Sequence, residues 1–300
     1  AGILRQLADV YRKVRNTSRY LLGNLHDFNP ATDAIPIAEL PLLDRWMLQR
    51  SAEVMDDITA AFESYEFFRF FQLLQNFCVT DLSNFYLDIA KDRLYVSAPA
   101  DKRRRSCQTV MALIIERLAG LIAPVLCHMA EDIWQNLPYQ VEEDSVFQRG
   151  WPDVPTNWRD DSLSTPVRQL RDLRAAVNRA IEDCRSRQEL GASLEGAVRI
   201  EARHPELQSA LSWLDQNGND EVDGLRDWLL VSQLQLGGEP WAEVLASQDD
   251  DLALIEVARA RGRKCERCWH YENDIGQHTD HPDLCGRCVN VLERRTHQLA

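Results

Sequence analysis

The amino-acid sequence predicts a mainly α fold, in which an antiparallel α-helical bundle is followed by a small α+β domain and a four-cysteine module. Three observations predict this fold. Up to residue 137, apolar residues recur at three- and four-residue steps in five segments, a pattern typical of amphipathic helices. Between residues 194 and 260, short stretches alternate as half-buried strands do. Four of the eight cysteines cluster between residues 265 and 288.

The five periodic segments predict the helices of the bundle. The first covers residues 3–22 and ends at Gly23-Asn24, a pair that favours a helix stop. Short connections join the segments, as in an antiparallel bundle, and Asp101 is predicted to cap the fourth helix. The other four helices are predicted at about 40–64, 66–96, 102–124 and 125–137.

The second half of the chain is predicted to be smaller and mixed. Residues 138–166 are rich in Pro, Asp and Trp, and we predict a linker that crosses the bundle surface. An α+β domain with a small sheet follows, whose last two strands are separated by an acidic loop near Asp249–Asp251. We predict helices at 167–188 and 205–216, and strands at 194–202, 228–236 and 252–260.

A length of 300 residues suggests about two domains, each large enough to bury a core. Within that limit, the composition shifts along the chain predict four parts. They are a helical domain at 1–140, a linker at 141–165, the small α+β domain at 166–260 and the four-cysteine module at 261–300.

The composition is ordinary for a soluble globular protein, with 45% hydrophobic residues and 47 acidic against 34 basic side chains. The longest apolar region, residues 118–129, is interrupted by Gly120, Pro124 and His128, so it lacks the ~18–20 apolar residues of a membrane span. The chain begins with Ala and carries no secretion signal. We therefore expect a cytoplasmic piece of a longer protein with no membrane partner.

The net charge of −13 is unevenly distributed. Residues 215–256 hold eleven acids against one arginine, whereas residues 1–25 hold Asp9 against a row of bases. A basic helix face is either an ordinary solvated surface or a contact for phosphate, and the charge pattern leaves both interpretations open. The bases of the first helix are Arg5, Arg12, Lys13, Arg15 and Arg19.

The cysteine cluster gives the most specific signal. Two C-x-x-C pairs, at Cys265/Cys268 and Cys285/Cys288, are separated by sixteen residues, a known zinc spacing. Each pair can direct two thiolates at one point, and two pairs complete a tetrahedron around Zn²⁺. Four protein ligands leave no open position, so we predict one structural zinc ion. Gly286 is expected to supply a positive φ inside the second pair.

Other interpretations of this cluster are weaker. A redox site needs only one pair, and two disulfides need an oxidising compartment. One of the histidines between the pairs, His270, His278 or His281, remains an alternative ligand in place of a cysteine. The sequence contains no phosphate-binding loop and no hydrolase or metalloprotease motif, so an independent hydrolase is disfavoured.

The aromatic run Phe67-Phe68-Arg69-Phe70-Phe71 has two interpretations. Exposed rings would suit the stacking of nucleic-acid bases. Their spacing matches the apolar stripe of the predicted third helix, which favours packing in the core. We therefore predict that this run is buried.

A series of short motifs runs through the helical segments, the α+β region and the cysteine cluster. They are Lys13–Leu25, Asp27–Pro30, Leu43–Trp46, Asp81–Tyr95, Arg104–Val110, Leu121–Pro124, Ala130–Trp134, Val177–Ala180, Leu190–Glu195, Cys265–Trp269 and Leu284–Cys288. In this order they resemble the C-terminal part of the bacterial isoleucyl-tRNA synthetase family. The bundle motifs are partly shared with valyl- and leucyl-type synthetases, whereas the Cys-x-Arg-Cys-Trp sequence is specific to the isoleucyl type.

The resemblance implies that residues 1–140 form an anticodon-binding domain and that the parent enzyme uses ATP to join isoleucine to tRNA(Ile). The family's catalytic and editing domains are not in these 300 residues, and we expect a monomer. Two alternatives remain, a valyl-type synthetase fragment and a zinc-containing protein-interaction module without catalytic function. The residues expected near the RNA are Lys13, Arg15, Asn16, Arg19, Arg267 and Trp269.

Overall fold

Helices build the first part of the chain, as the apolar periodicity predicts. The computed structural model describes residues 2–218 and 224–299, which lie in two compact units, Ala1–Asp160 and Asp161–Ala300. A π-helical segment at Phe77–Tyr86 joins two of the helices of the first unit without a break. The longer helices are α1 (Gly2–Gly23), α2 (Leu42–Glu63), α3 (Phe67–Asn76), α4 (Leu87–Val96), α5 (Lys102–Ile122) and α6 (Cys127–Gln135).

Short helical turns occupy the connections of this unit. Asp101 caps α5 as predicted, because its side chain accepts a hydrogen bond from the Arg103 N–H at 2.8 Å. Asn29 caps the first short turn in the same way. The short turns are Pro30–Asp33, Ile37–Glu39, Val146–Arg149 and Thr156–Trp158.

The core of the first unit follows the apolar stripes of its helices. Val14 and Leu21 of α1, Met47 of α2, Leu74 of α3 and Ile115 of α5 are fully buried. Each such side chain contributes about 1.5–3 kcal/mol through the apolar area that it removes from water. Burial of this one face leaves the opposite face of α1 exposed to solvent.

A buried polar cluster joins α2 to the helices that follow it. The guanidinium of Arg93 donates to Asp44 Oδ2 at 2.9 Å, and the Tyr86 hydroxyl donates to Asp44 Oδ1 at 2.6 Å. Asp44 and Tyr86 are completely buried, and burial together with the nearby Asp44 charge raises the pKa of Tyr86 well above its usual range. The cluster therefore holds an ionised carboxylate inside the bundle by satisfying both of its oxygens.

A second charged cluster ties the end of α1 to α5. Arg104 and Gln108 each donate to the Asp27 carboxylate at 2.8 Å, and Arg105 donates to the Asp27 carbonyl oxygen at 2.8 Å. Although burial alone would raise it, these hydrogen bonds and the arginine charges lower the pKa of Asp27 to about 2. The carboxylate therefore stays ionised at neutral pH and fixes the start of the 24–29 loop.

The aromatic run of α3 is only partly buried, so the prediction of core packing is wrong for two of its rings. Phe70 is fully buried, whereas Phe67 and Phe68 are 47% and 77% exposed. Adjacent residues on a helix point about 100° apart, so a run of neighbouring aromatics cannot all face one core. The third predicted helix is continuous over its predicted length, but its middle third is π-helical.

The segment after α6 packs on the surface of the bundle through two tryptophans. Trp158 is buried, with the Arg117 guanidinium 4.5 Å from its ring centroid. The Trp151 indole donates to the Thr59 hydroxyl at 3.0 Å. The two tryptophans thus fasten the segment to α2 and α5.

The second unit joins helices to a four-stranded sheet. The helices are α7 (Ser164–Ser186), α8 (Pro205–Asn217), α9 (Gly286–Leu299) and the short turns Asp161–Leu163, Ser193–Glu195 and Leu225–Leu229. The strands are β1 (Gly196–Ala202), β2 (Gln233–Leu236), β3 (Ala246–Asp249) and β4 (Ala253–Arg259), with a separate hairpin of β5 (Arg263–Lys264) and β6 (Tyr271–Glu272). The strand order of the sheet is β2-β1-β4-β3; the β1–β2 pair is parallel, and the β1–β4 and β3–β4 pairs are antiparallel.

Two of the sequence expectations for this sheet are wrong. The predicted strand 228–236 begins only at Gln233, because a short helix occupies Leu225–Leu229 and Leu230 turns the chain with a φ of 55°. The acidic loop does not join β2 directly to β4, because β3, a short edge strand that the sequence did not predict, ends at Asp249 and pairs antiparallel with β4. Its Ala-Ser-Gln-Asp sequence has no apolar alternation to mark it.

A buried ion pair supports the centre of the sheet. Arg199 of β1 lies directly opposite Glu256 of β4, and the two side chains are 2.9 Å apart. Arg199 also donates to the carbonyl oxygens of Gly237 and Gly238. Its guanidinium N–H groups are therefore satisfied by a carboxylate and by two backbone carbonyls. Among the residues that the structure describes, no helix is both long and apolar enough to cross a membrane.

Candidate metal centre and nucleic-acid interface

The hairpin β5–β6 positions the first cysteine pair. Cys265 and Cys268 lie in the connection between the two strands. The Cys265 N–H donates to the His270 carbonyl oxygen, and the Trp269 N–H donates to the Cys265 carbonyl oxygen, both at 2.9 Å. Trp269 adopts a φ of 67°, a left-handed conformation that closes this turn. The turn therefore brings both thiols to the same side of the chain.

The start of α9 positions the second pair. Cys288 lies in the first turn of that helix and Cys285 immediately precedes it. The Cys285 N–H approaches the Cys265 sulfur at 3.4 Å, which links the second pair directly to the first. Two secondary-structure elements from different parts of the module thus converge on one point.

The four sulfur atoms form a compact group that suits a tetrahedral metal ion. All four lie within 4.8 Å of one another and all four cysteines are buried. The Cys268 and Cys285 sulfurs are 3.7 Å apart. Zn–S bonds of about 2.3 Å in a tetrahedron place sulfurs about 3.8 Å apart, so the spacing fits zinc. In the described part of the chain this group includes no histidine, so the alternative of a histidine ligand gains no support.

The packing of the sulfurs also favours a cation. Hydrogen bonding with Cys268 and Cys285 raises the pKa of Cys288, and burial adds to the effect. Hydrogen bonds from Cys285 and Cys288 lower the pKa of Cys268. Cysteines bind a metal ion as thiolates, and four thiolates in so small a volume need a positive charge to offset their repulsion, which a divalent ion supplies.

The module is joined to the sheet of the second unit. The Tyr271 N–H donates to the Ser232 hydroxyl at 2.8 Å, and Arg226 forms an ion pair with Glu272 at 3.0 Å. These contacts connect β6 to the segment before β2. The metal centre is therefore braced by the α+β domain on the hairpin side.

Two of the expected RNA contacts lie on this module. Trp269 is 60% exposed, and the Lys264 ammonium lies 5.3 Å from its ring centroid. Arg267 is partly buried, and its Nη1 has no hydrogen-bond partner within the described residues. An exposed indole beside a cation is a suitable platform for a nucleic-acid base.

The other four expected RNA contacts lie on a single helix, α1, in the first unit. Lys13, Arg15, Asn16 and Arg19 of α1 are all exposed. They stand three or four residues apart in overlapping pairs, so they share one side of the helix. The opposite side is buried through Val14, Thr17 and Ser18, and the Thr17 and Ser83 hydroxyls lie 3.0 Å apart. The packing of α1 thus determines which of its faces a partner meets.

Sequence analysis did not identify a carboxylate that contacts the backbone of the second cysteine pair. Asp274 accepts a hydrogen bond from the Gly286 N–H at 2.7 Å. The expected positive φ at Gly286 is wrong, because the residues with positive φ in this module are Trp269, Gly262 and Gly276. No spacing rule connects Asp274 with a backbone N–H twelve residues later, so only the fold could reveal the contact.

Comparison with known protein families identifies the class of protein to which the chain belongs. Residues 44–202, just over half of the chain, match the family described as the anticodon-binding domain of tRNA ligase. The chain therefore belongs to that family. Residues 262–291 match the family described as a zinc finger found in FPG and IleRS, and this range contains all four clustered cysteines. A structural zinc ion is the metal that the match and the sulfur geometry both support.

Several of the most similar relatives share the same protein name. The chain is 84% identical over 299 residues to the isoleucine–tRNA ligase of Parasynechococcus marenigrum strain WH8102, and 77% identical over 295 residues to that of Synechococcus sp. strain CC9311. All of this chain is aligned in the first comparison and 98% in the second. The chain spans about a third of the length of these relatives, 31% and 30% respectively.

These comparisons confirm the resemblance found in the sequence. They favour the isoleucyl type over the valyl type, because the relatives are isoleucine–tRNA ligases. They also disfavour a zinc-containing protein-interaction module unrelated to tRNA, since the helical domain itself matches an anticodon-binding family. The mainly helical fold with a small sheet and a four-cysteine cluster is confirmed as well.

Proposed function

We propose that this chain is the tRNA-binding C-terminal part of an isoleucine–tRNA ligase, which recognises the anticodon region of tRNA(Ile). The observation that carries the proposal is the joining of an anticodon-binding domain and an isoleucyl-type zinc finger in one chain. In this proposal the ATP-dependent joining of isoleucine to tRNA takes place in the catalytic domain of the longer protein, and an editing domain also lies outside these 300 residues.

Cys265, Cys268, Cys285 and Cys288 are the proposed ligands of one structural zinc ion. Four sulfur ligands close the coordination sphere, so the ion has no position for substrate or water. When bound, it supplies a fixed cross-link between the β5–β6 hairpin and the start of α9. The role of the ion is thus to hold the shape of the surface that carries Arg267 and Trp269.

The proposed RNA contacts are of two kinds, those to phosphate groups and those to bases. Lys13, Arg15 and Arg19 donate to phosphate oxygens, which positions the RNA without reading its sequence. The Asn16 amide can both donate and accept, so it is the candidate on α1 for reading the edge of an unpaired base. On the zinc module, Trp269 stacks a base and Arg267 contacts the adjoining phosphate.

The helix face is tested by removing its three positive charges together. We expect Lys13→Ala/Arg15→Ala/Arg19→Ala to weaken the binding of a tRNA(Ile) transcript about 100-fold at ~0.1 M salt, because phosphate contacts dominate affinity. The slope of log K against log salt concentration should become less steep by about 2, since each charge contributes ~0.7–0.9. Fluorescence anisotropy with labelled transcript at several salt concentrations measures both quantities.

The matched control removes three exposed arginines from α7, as Arg168→Ala/Arg179→Ala/Arg185→Ala. Its net charge equals that of the α1 variant, and we expect its affinity to change less than threefold. An equal loss in both variants would contradict a specific role for the α1 face, because it would show a dependence on net charge alone.

The remaining proposals concern the parent protein. We propose that it works in the cytoplasm as a monomer. We also propose that the chain is organised as an anticodon-binding domain at 1–140, a linker at 141–165, an α+β domain at 166–260 and the zinc module at 261–300. The division into two compact units near residue 160 supports a boundary at the end of the linker.

A further inference from the structure

A carboxylate from the loop between the two cysteine pairs contacts the backbone of the second pair. Asp274 lies shortly after β6, and its Oδ2 accepts the Gly286 N–H at 2.7 Å. Gly286 lies between Cys285 and Cys288 and is the first residue of α9. The hydrogen bond therefore spans the loop that separates the hairpin from the helix, and it ends on the segment that carries half of the sulfur atoms.

The loop holds this carboxylate in place. The Gln277 N–H donates to the Asp274 carbonyl oxygen at 3.1 Å, and Gly276 turns the chain with a φ of 96°. His278 Nε2 lies 3.5 Å from the same Asp274 Oδ2. Both His278 and Asp274 are partly buried. The hydrogen bond from Gln277 thus fixes the backbone of Asp274, and the His278 ring lies beside the carboxylate that contacts Gly286.

Glycine at position 286 is explained by this contact. A Cβ atom there would lie 2.9 Å from Asp274 Oδ2 and 3.3 Å from His278 Nε2. A distance below 3.0 Å requires a shift, here of the end of the Asp274 side chain, so a Cβ atom at position 286 would disturb its hydrogen bond with the backbone. Glycine therefore favours this close approach.

Asp274 lies beside the four-cysteine group without belonging to it. Within the described part of the chain, the group of potential ligand atoms within 4.8 Å of one another contains four sulfurs and no carboxylate oxygen. The first N–H groups of a helix have no partner within the helix, and an anion at that end is stabilised by the helix dipole. A hydrogen bond from Gly286 to Asp274 fixes the backbone between the two cysteines and so fixes the directions of their side chains.

We infer that Asp274 is a positioning residue of the metal centre, which retains zinc by holding the second cysteine pair in its coordinating conformation. This inference rests on the proposed zinc site. Residues that orient metal ligands typically change metal affinity by about 10- to 100-fold when they are replaced. The effect here is transmitted through the backbone at Gly286.

The test is the rate of zinc release from the 300-residue chain to an excess of a chromophoric chelator. Asp274→Ala should release zinc about 10- to 100-fold faster than the unchanged chain. Asp274→Asn should remain within a few fold, because its amide oxygen still accepts the Gly286 N–H. Gly286→Ala should speed release as Asp274→Ala does, since its Cβ displaces the carboxylate. The matched control is Asp280→Ala, an exposed acid of the same loop, which should leave the rate unchanged.

Substitution of Co²⁺ for zinc separates positioning from ligation. The visible spectrum of the Co²⁺-loaded Asp274→Ala chain should keep the four-sulfur form, because the ligand set is the same. A changed spectrum would make Asp274 a ligand and would overturn the inference. Release at the unchanged rate in both Asp274→Ala and Gly286→Ala would overturn it as well. An unchanged chain that binds no zinc would reject the proposed site itself, which is a distinguishable result.

Discussion

Replacing Cys285 by serine is expected to lower the zinc content of the chain from one ion to well below one and to unfold the C-terminal module. Structural zinc binding is coupled to folding and contributes about 10–16 kcal/mol in small zinc modules at neutral pH. The four buried sulfurs of the cluster are held by the short β5–β6 hairpin, by the start of α9 and by the hydrogen bond from Gly286 to Asp274, and β6 is braced by the α+β domain. Because these elements are short, loss of one ligand removes the main source of stability for the zinc module.

Elemental analysis and limited proteolysis measure this outcome. We expect the module to become sensitive to protease, whereas the helical bundle should keep its circular dichroism signal, also after zinc is removed by a chelator. Cys127→Ser is the control, because Cys127 is exposed and lies on α6, outside the cluster. A Cys285→Ser chain that keeps one equivalent of zinc and a protected tail would contradict the proposed ligand set.

The second large effect is expected inside the bundle. Asp44→Ala should lower the free energy of unfolding of the first unit by about 3–5 kcal/mol, because it leaves the Arg93 charge buried without its carboxylate partner. Arg93 is 2% exposed and Asp44 is fully buried, so water cannot replace the lost contact. The midpoint and slope of a urea unfolding curve, followed by circular dichroism, give the change.

Two further variants make this result specific. Tyr86→Phe removes one hydrogen bond to Asp44 but keeps the ion pair, and we expect a loss of about 1–2 kcal/mol. Glu63→Ala alters an exposed acid at the end of the same helix and should stay within about 0.5 kcal/mol. If Asp44→Ala were no more destabilising than Glu63→Ala, the buried cluster would have no structural role.

Periodicity and spacing predicted the features that depend on local sequence. The apolar stripe of α1 and the cap at Asp101 could be found because a helix repeats every 3.6 residues and its first N–H groups need partners. The two C-x-x-C pairs could be found because zinc requires four thiolates in a fixed arrangement. These features need no knowledge of distant contacts.

The features that sequence analysis missed depend on residues far apart in the chain. Helix geometry requires that some rings of the aromatic run face outward, but which of them do depends on how α3 packs, so the sequence alone does not single out Phe67 and Phe68. Strand β3 forms because β4 offers it an edge, although its own four residues are polar. The Asp274–Gly286 contact likewise exists only once the loop between the cysteine pairs has folded.

Recognition of the anticodon region of tRNA(Ile) by this chain can be measured with two transcripts, one with the isoleucine anticodon and one differing only in its anticodon. The dissociation constant of each is measured at a single salt concentration. We expect at least tenfold tighter binding of the first transcript, a difference of about 1.4 kcal/mol. Equal affinity for the two transcripts would contradict anticodon recognition by this chain.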